Sequence, residues 1–112
     1  MTIIIFNFKI SNVINMNINN VSNPRRVNQL SNKIYRKGIE LSTRKNKKYM
    51  ILDSNGKYVH FGDTKFQDYT KHNDDKRRLN YLNRATNIKG DWKSNKYSPN
   101  NLAINLLWNK NS

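Results

Sequence analysis

Two runs of strand-forming residues in the middle of the chain predict a β-hairpin. The runs 49–52 and 58–61 are rich in aromatic and β-branched residues and flank a polar segment. Within that segment, Asn55-Gly56 is the preferred pair for a two-residue type I′ turn, because both turn positions need positive φ. With this turn, four apolar side chains share the face that we expect to be buried, namely Met50, Leu52, Val59 and Phe61. The opposite face carries Tyr49, Ile51, Tyr58 and His60.

A helix is predicted after the hairpin. Asn73 or Asp74 is its N-cap, and the carboxylates of Asp74 and Asp75 complement the positive end of the helix dipole. Helical spacing divides the residues that follow between two sides. The apolar side is formed by Leu79, Leu82 and Thr86. The opposite side is basic and aromatic and faces away from the apolar one, with Arg77, Tyr81 and Arg84.

A second helix is predicted from Ser98-Pro99, with Ser98 as N-cap and the proline where its missing N–H costs nothing. Residues 102–108 are apolar nearly all round, so this short helix should be buried against the hairpin. We expect four aromatic side chains to join the core, namely Phe61, Phe66, Trp92 and Trp108. The predicted fold is a small single α+β domain with one β-hairpin and two short helices, preceded by a basic arm.

Three zones differ in composition. Residues 1–23 are rich in Ile and Asn and are interpreted as strand-like or disordered, and Met16 leaves a later start of the protein open. Residues 24–48 carry nine basic side chains against one Glu, and dense like charge favours a weakly ordered arm. Residues 49–109 are the predicted compact core.

The charge of the chain points to an acidic partner. With 21 Lys and Arg against 7 Asp and Glu, the formal net charge is +14. Such an excess is self-repulsive in isolation and is typical of proteins that bind nucleic acid, anionic surfaces or acidic proteins. The chain has no cysteine, which excludes disulfides and thiolate metal sites. No signal peptide or apolar run of about 20 residues is present, so we expect a non-secreted protein without a membrane span.

Basic and aromatic side chains are the candidates for binding. Backbone phosphates are bound by Lys and Arg, and tyrosines stack on unpaired bases. The candidate nucleic-acid-binding residues are Arg25, Arg26, Arg36, Lys37, Arg44, Lys45, Lys47, Lys48, Lys76, Arg77, Arg78, Tyr81 and Arg84. The candidate stacking residues are Tyr49, Tyr58, Tyr69 and Tyr81. Since no sequence-reading module is recognisable, we expect binding through the backbone with little sequence preference.

A metal-dependent nuclease is a distant alternative. Its ligands would come from His60, His72, Asp63, Asp68, Asp74 and Asp75. Metal-assisted hydrolysis needs two or three converging ligands, and the spacings here match no metal motif. The two aspartates at the helix start, and the two in the preceding loop, also have ordinary structural uses. We therefore predict no catalytic residue, no metal, no cofactor and no small-molecule substrate.

An ordered series of motifs gives residues 42–109 a family resemblance. The series runs from Lys47-Lys48-Tyr49-Met50 through Gly56-Lys57, Val59-His60-Phe61-Gly62, Asp68-Tyr69-Thr70-Lys71-His72, Asp75, Arg77-Arg78, Tyr81, Trp92 and Ser98-Pro99 to Leu106-Leu107-Trp108-Asn109. It resembles a family of small basic uncharacterised proteins, domains of unknown function, from nucleocytoplasmic large DNA viruses (mimivirus-, phycodnavirus- and iridovirus-like) and some tailed phages. The resemblance implies a viral source and a virion or genome-associated role, with no established activity to transfer.

These observations converge on a non-enzymatic viral protein that binds a polyanion. The favoured function is sequence-independent binding of nucleic acid, DNA rather than RNA, in genome organisation or packaging. The alternative is a minor structural protein of the virion, in which the basic segment contacts acidic capsid proteins. The expected locations are the host cytoplasm or viral factory and the virion.

Overall fold

A computed structural model describes residues 17–110 of the chain. The expectation of a strand-like or disordered start therefore lies outside the described residues for positions 1–16. The helices are α1 (Pro24–Tyr35), α2 (Tyr69–His72), α3 (Asp75–Thr86) and α4 (Pro99–Leu106), with 3₁₀ turns at Ile18–Asn20 and Trp92–Ser94. The strands are β1 (Glu40–Leu41), β2 (Lys47–Leu52) and β3 (Tyr58–Asp63), which form one antiparallel sheet in the order β1-β2-β3.

The predicted α+β class with its hairpin is confirmed, and the sheet and the helices are more extensive than expected. The hairpin gains a third strand, and four helices are present among residues 17–110 where two were predicted. The start of the described chain also differs from the expectation, since residues 18–20 form a 3₁₀ turn whose Ile18 is buried in the core. Among residues 17–110, none of the helices has the length and apolar character that a membrane span requires.

The prediction that residues 24–48 form a weakly ordered arm is wrong. Their first half is α1, which begins at Pro24 after Asn23, whose side chain accepts a hydrogen bond from the backbone N–H of Arg26. The buried side of α1 is formed by Val27, Leu30, Ser31 and Tyr35. These residues recur at helical spacing, so one side of the helix packs on the core while its cations occupy the rest. The high density of charge led to the prediction of a weakly ordered arm, although one apolar side is enough for a helix to pack on the core.

The hairpin is present, but its predicted turn and register are wrong. Tyr49 pairs with Phe61 and Ile51 with Val59, which shifts the pairing by one residue from the expectation. Val59 and Phe61 of β3 lie on the core face as expected, but the β2 residues that share this face are Tyr49 and Ile51, which are fully buried, instead of Met50 and Leu52. The turn spans five residues, with positive φ at Gly56 alone rather than at both members of the Asn-Gly pair.

The side chain of Asp53 explains the longer turn. Its Oδ1 accepts hydrogen bonds from the backbone N–H groups of Asn55, at 2.8 Å, and Lys57, at 2.9 Å. The backbone N–H of Asp53 in turn donates to the carbonyl of Lys57 at 2.8 Å. An Asp at the start of a turn stabilises a loop of this kind, and the resulting one-residue shift in pairing changes which side chains of β2 share a face with Val59 and Phe61.

Helix α4 closes the core, as predicted. Ser98 is its N-cap, accepting a hydrogen bond from the backbone N–H of Asn101, and Pro99 occupies the first turn. Leu102 and Leu106 are fully buried, and the helix packs against β3 and α1. Leu107, just after the helix, lies against the backbone of Gly62 in β3. The close contact of helix and strand is possible because Gly62 has no side chain there.

Helix α3 begins as predicted but is rotated relative to the expectation. Asp74 is the N-cap, its carboxylate accepting from the N–H groups of Lys76 and Arg77. Leu79, predicted to face the core, is 58% exposed. Ala85 is buried instead, since its small side chain lets α3 approach the rest of the domain.

Of the four aromatic residues expected in the core, Phe61 and Trp108 are buried, Trp92 is half-buried and Phe66 is exposed.

Candidate nucleic-acid interface

A cavity of about 610 Å³ opens between the sheet, α3 and α4. The sheet contributes Lys47, Lys48, Gly62 and Asp63, and the loop that follows contributes Phe66 and Gln67. Helix α3 contributes Arg77, Asn80, Tyr81 and Arg84. The remaining wall comes from α4 and its end, with Pro99, Asn100, Ala103, Leu107 and Trp108. Cations and aromatic rings are thus combined around one concave surface.

Helix α3 aligns two of the cavity's cations. Arg77, Tyr81 and Arg84 are spaced by four and three residues, which places them on one side of a helix. That grouping was predicted, and all three line the cavity. Both arginines are exposed, and neither forms an ion pair with another residue in the range 17–110. Lys47, at the start of β2, is a third exposed cation in the lining.

Tyr81 lines the cavity through a ring that is already stacked on another. Its ring lies parallel to that of Trp108, with centroids 4.2 Å apart. Burial raises the pKa of Tyr81 to about 12, so the phenol stays neutral at physiological pH. Arg78 supports the pair from outside, since its Nε donates to the carbonyl oxygen of Trp108 at 2.7 Å. The stacked pair therefore forms a rigid aromatic wall.

Lys48 contributes to the cavity wall as one half of a buried ion pair. Its Nζ lies 3.0 Å from Oδ2 of Asp68, and both side chains are almost fully buried. Burial lowers the pKa of Lys48, and the adjacent Asp68 carboxylate opposes that shift. Asp68 also accepts a hydrogen bond from the backbone N–H of Thr70 at 3.0 Å. The ammonium group of Lys48 is therefore paired within the protein, whereas that of its neighbour Lys47 is exposed.

A second group of cations surrounds Tyr69, next to the aromatic wall. The guanidinium groups of Arg26 and Arg78 each lie 5.7 Å from the centre of the Tyr69 ring. Nη1 of Arg26 donates to Oδ1 of Asn73 at 2.6 Å, which joins α1 to the loop before α3. Since Arg78 also contacts Trp108, this cluster is continuous with the cavity wall.

The other candidate cations do not line the cavity. Arg25 and Lys76 are exposed on α1 and α3, and Arg44 and Lys45 are exposed between β1 and β2. Arg36 is the left-handed C-cap of α1, with a φ of 60°. Lys37 donates from Nζ to the carbonyl oxygen of Leu52 at 2.9 Å and lies over the ring of Tyr97. Of the predicted residues, Lys47, Lys48, Arg77, Tyr81 and Arg84 are brought together by the cavity.

Two of the predicted stacking tyrosines are closed to bases. Tyr49 is fully buried and donates from its hydroxyl to Oγ of Ser22 at 2.7 Å, so the expectation that it stacks on a base is wrong. Tyr69 is also buried, and its hydroxyl donates to Asp75 at 2.7 Å. Tyr58 is 43% exposed, but it does not line the cavity. The exposed aromatic residue of the lining is Phe66, which sequence reasoning assigned to the core.

The histidines have local structural partners. Nδ1 of His60 lies 2.7 Å from Oγ of Ser42, and Nδ1 of His72 accepts from the backbone N–H of Asp74 at 2.9 Å. Burial lowers the pKa of both imidazoles, and nearby cations add to the effect. Among residues 17–110, no group of three or more His, Asp and Glu side chains is placed to hold a metal ion.

Sequence reasoning missed the polar side chains of the lining. Asn80 lies one helical turn from Arg77, so the α3 pattern alone could have placed it beside the arginines. Gln67 and Asn100 come from a loop and from the first turn of α4. Their positions depend on tertiary packing that no local pattern encodes. The same holds for Phe66, whose exposure follows from the path of the loop after β3.

Comparison with known proteins gives one family match. Residues 38–85 match the sequence model of a family described as a family of unknown function (DUF5754). The matched segment contains the whole sheet and most of α3, and so includes Lys47, Arg77 and Arg84. No curated protein and no solved structure matches the chain.

Proposed function

We propose that the protein binds nucleic acid, DNA in preference to RNA, through the phosphate backbone and with little sequence preference. The observation that carries this proposal is the convergence of Lys47, Arg77 and Arg84 on one cavity. Each of these side chains is exposed at a concave surface. These three cations outnumber the one carboxylate of the lining, Asp63, and clefts with an excess of one charge attract ligands of the opposite sign.

The overall charge supports a polyanionic partner. Residues 17–110 contain 20 of the 21 Lys and Arg residues together with all seven acidic residues. Most of the cations therefore have no carboxylate available for one-to-one pairing. One of the carboxylates, Asp68, already forms a buried ion pair with Lys48. A phosphate polymer neutralises such an excess and releases its own counterions, which stabilises the complex.

The proposed role is binding rather than catalysis. Nδ1 of each histidine is engaged in a hydrogen bond and Asp68 in an ion pair, while Nε2 of His72 is buried without a hydrogen-bond partner among residues 17–110. In this proposal the exposed cations supply affinity, and the aromatic wall gives the cavity a fixed shape. The resemblance of residues 42–109 to viral proteins extends the proposal to genome organisation or packaging, in the host cytoplasm or viral factory and in the virion.

A titration of DNA by the full-length protein tests this function. Fluorescence anisotropy with a labelled 20-base-pair duplex and a labelled 20-nucleotide single strand, across a salt series, measures both affinity and the number of phosphate contacts. We expect a linear fall of log affinity with log salt and similar affinities for unrelated sequences. Heparin at equal charge concentration should compete less effectively than unlabelled DNA. Equal competition by heparin, or no binding near physiological salt, would overturn the proposal and favour an acidic virion protein as partner.

A further inference from the structure

The lining of the cavity combines different chemical groups, so it indicates a more specific ligand than a patch of positive charge would. A backbone-binding surface needs only cations, whereas this cavity also presents aromatic rings and side-chain amides. Its volume of about 610 Å³ lies within the range of about 300–1,000 Å³ that is typical of small-ligand sites. The volume and the lining together fit one nucleotide unit of a polymer.

We propose that the cavity receives one unpaired nucleotide of a single strand, with its base against the aromatic residues and its flanking phosphates at Arg77 and Arg84. This inference rests on the proposed nucleic-acid binding and adds a preferred substrate class to it. A duplex keeps its bases stacked inside and offers mainly phosphates to such a surface. An unpaired base exposes its aromatic face and can enter the cavity.

Phe66 is the first structural argument for a base. Its side chain is 63% exposed although it lines the same concave surface as Tyr81 and Trp108. An exposed phenyl ring gains free energy when it is covered, at about 25 cal/mol per Å² of apolar area. A nucleobase covers the ring and stacks on it at the same time. Sugar and phosphate groups alone have no planar surface that could replace this contact.

The spacing of the arginines is the second argument. Arg77 and Arg84 are seven residues apart on α3, which separates their backbones by about 10.5 Å along the helix axis. Tyr81 lies between them on the same side. The two arginines are therefore anchored on either side of Tyr81 along the helix axis instead of at one point. This arrangement suits two phosphates on either side of a single inserted base.

The amides supply the third argument. Asn100 lines the cavity, and its Nδ2 donates to the carbonyl oxygen of Ala85 at 2.9 Å, which fixes the side chain and leaves Oδ1 as its acceptor atom. Asn80 adds an exposed amide, with both donor and acceptor atoms, on the α3 side. Every base presents donors or acceptors on its edges, so amides of this kind bind bases without strong selection among them.

Paired oligonucleotides test the inference with the full-length protein. The probes are a labelled 12-nucleotide oligothymidylate and a 12-unit strand of abasic residues with the same number of phosphates. We expect the oligothymidylate to bind about tenfold more tightly, in line with the stacking contribution of one base. Phe66→Ala should remove most of that difference and leave abasic binding unchanged. Phe66→Trp should restore the preference, and Tyr58→Ala, at an exposed aromatic outside the cavity, should have no effect.

The outcomes separate this inference from the proposed function. Equal binding of the two strands by the wild-type protein overturns the nucleotide cavity and leaves backbone binding standing. Absence of binding to both strands overturns both proposals. An equal loss of affinity for both strands in Phe66→Ala also contradicts the inference, because the ring would then act on the fold rather than on the base. Circular dichroism of each variant shows whether its fold is intact.

Discussion

Tyr81 and Trp108 stack face to face, with ring centroids 4.2 Å apart and ring planes 6° from parallel. The contact joins α3 to the segment after α4, and no other pair of aromatic rings described in residues 17–110 is stacked so closely in parallel. Trp108 is buried and also contacts His72, at a ring distance of 5.3 Å. The stack therefore ties the cavity wall to the stability of the domain.

Truncation of Trp108 should unfold the protein more easily. Trp108→Ala removes a buried ring and its stacking contact with Tyr81, and we expect the free energy of unfolding to fall by about 3–5 kcal/mol. Urea denaturation followed by circular dichroism measures this change. Trp92→Ala is the matched control, because Trp92 is only half-buried and should cost clearly less. Equal costs for the two variants would show that the stack contributes nothing special.

The Lys48–Asp68 pair should behave as a coupled unit. Lys48→Met leaves the Asp68 carboxylate buried without its partner, and we expect a loss of about 3–5 kcal/mol. Replacing both, as Lys48→Met with Asp68→Asn, removes both charges and keeps an acceptor for the backbone N–H of Thr70. The double variant should lie within about 1 kcal/mol of wild type. Additive losses in a urea-denaturation cycle would contradict this coupling.

Stability should fall as the pH is lowered through 6. Burial, reinforced by Arg77, holds the pKa of His72 below its ordinary value, and burial also lowers the pKa of His60. The unfolded chain therefore binds more protons than the folded chain below about pH 6.5, so acid favours unfolding. Thermal denaturation at pH 7.5 and 5.5 should show a lower midpoint at pH 5.5.

A single variant isolates the contribution of His72. His72→Asn keeps an acceptor for the backbone N–H of Asp74 and removes the titrating ring. The difference in midpoint between pH 7.5 and 5.5 should shrink in this variant and persist in part because of His60. The window avoids the carboxylates Asp53 and Asp75, whose lowered pKa values affect stability only at more acidic pH. If the pH dependence of the midpoint is unchanged in His72→Asn, the loss of stability in acid does not come from His72.

Gly62 should tolerate a side chain less well than Gly56. Both have positive φ, +85° and +77°, so Ala at either position is strained by about 1–2 kcal/mol. At Gly62 an added Cβ would also lie 3.0 Å from Cδ1 of Leu107 and 3.1 Å from Cβ and Cδ of Lys48, whereas it meets nothing within 4 Å at Gly56. We expect Gly62→Ala to cost about 1–3 kcal/mol more than Gly56→Ala in urea denaturation. Equal losses of unfolding free energy in the two variants would mean that the side chains next to Gly62 shift without a measurable loss of stability.

Local signals in the sequence predicted the helix boundaries best. Asp74 and Ser98 begin their helices as expected, because capping depends on a few neighbouring residues. The hairpin was found by the same local logic, but its register depended on whether the turn had two residues or five. The hydrogen bonds of the Asp53 side chain favour five, and Tyr49 and Ile51, instead of Met50 and Leu52, therefore form the face of β2 that meets the core.

Features that depend on tertiary packing were predicted less well. Helix α1 docks through only four buried residues among many cations, so charge statistics indicated disorder where packing gives a helix. Leu79 is exposed although it is large and apolar, because Ala85 and Tyr81 define the inner side of α3, and Phe66 is exposed because of the path of the loop after β3. Of the cavity, the grouping of Arg77, Tyr81 and Arg84 was predicted, and its amides and Phe66 were not.

The central claim is that the cations of the cavity bind the nucleic-acid backbone. The most direct test compares Arg77→Gln/Arg84→Gln with Lys57→Gln/Lys89→Gln, which removes the same charge from exposed positions outside the cavity. The measurement is the slope of log affinity against log salt for a labelled single-stranded oligonucleotide, by anisotropy. Loss of two phosphate contacts should reduce the slope by about 1.4, with a weaker affinity at every salt concentration, while the control keeps the wild-type slope. Identical slopes for the two double variants would contradict the account, because binding would then depend on net charge and not on the cavity.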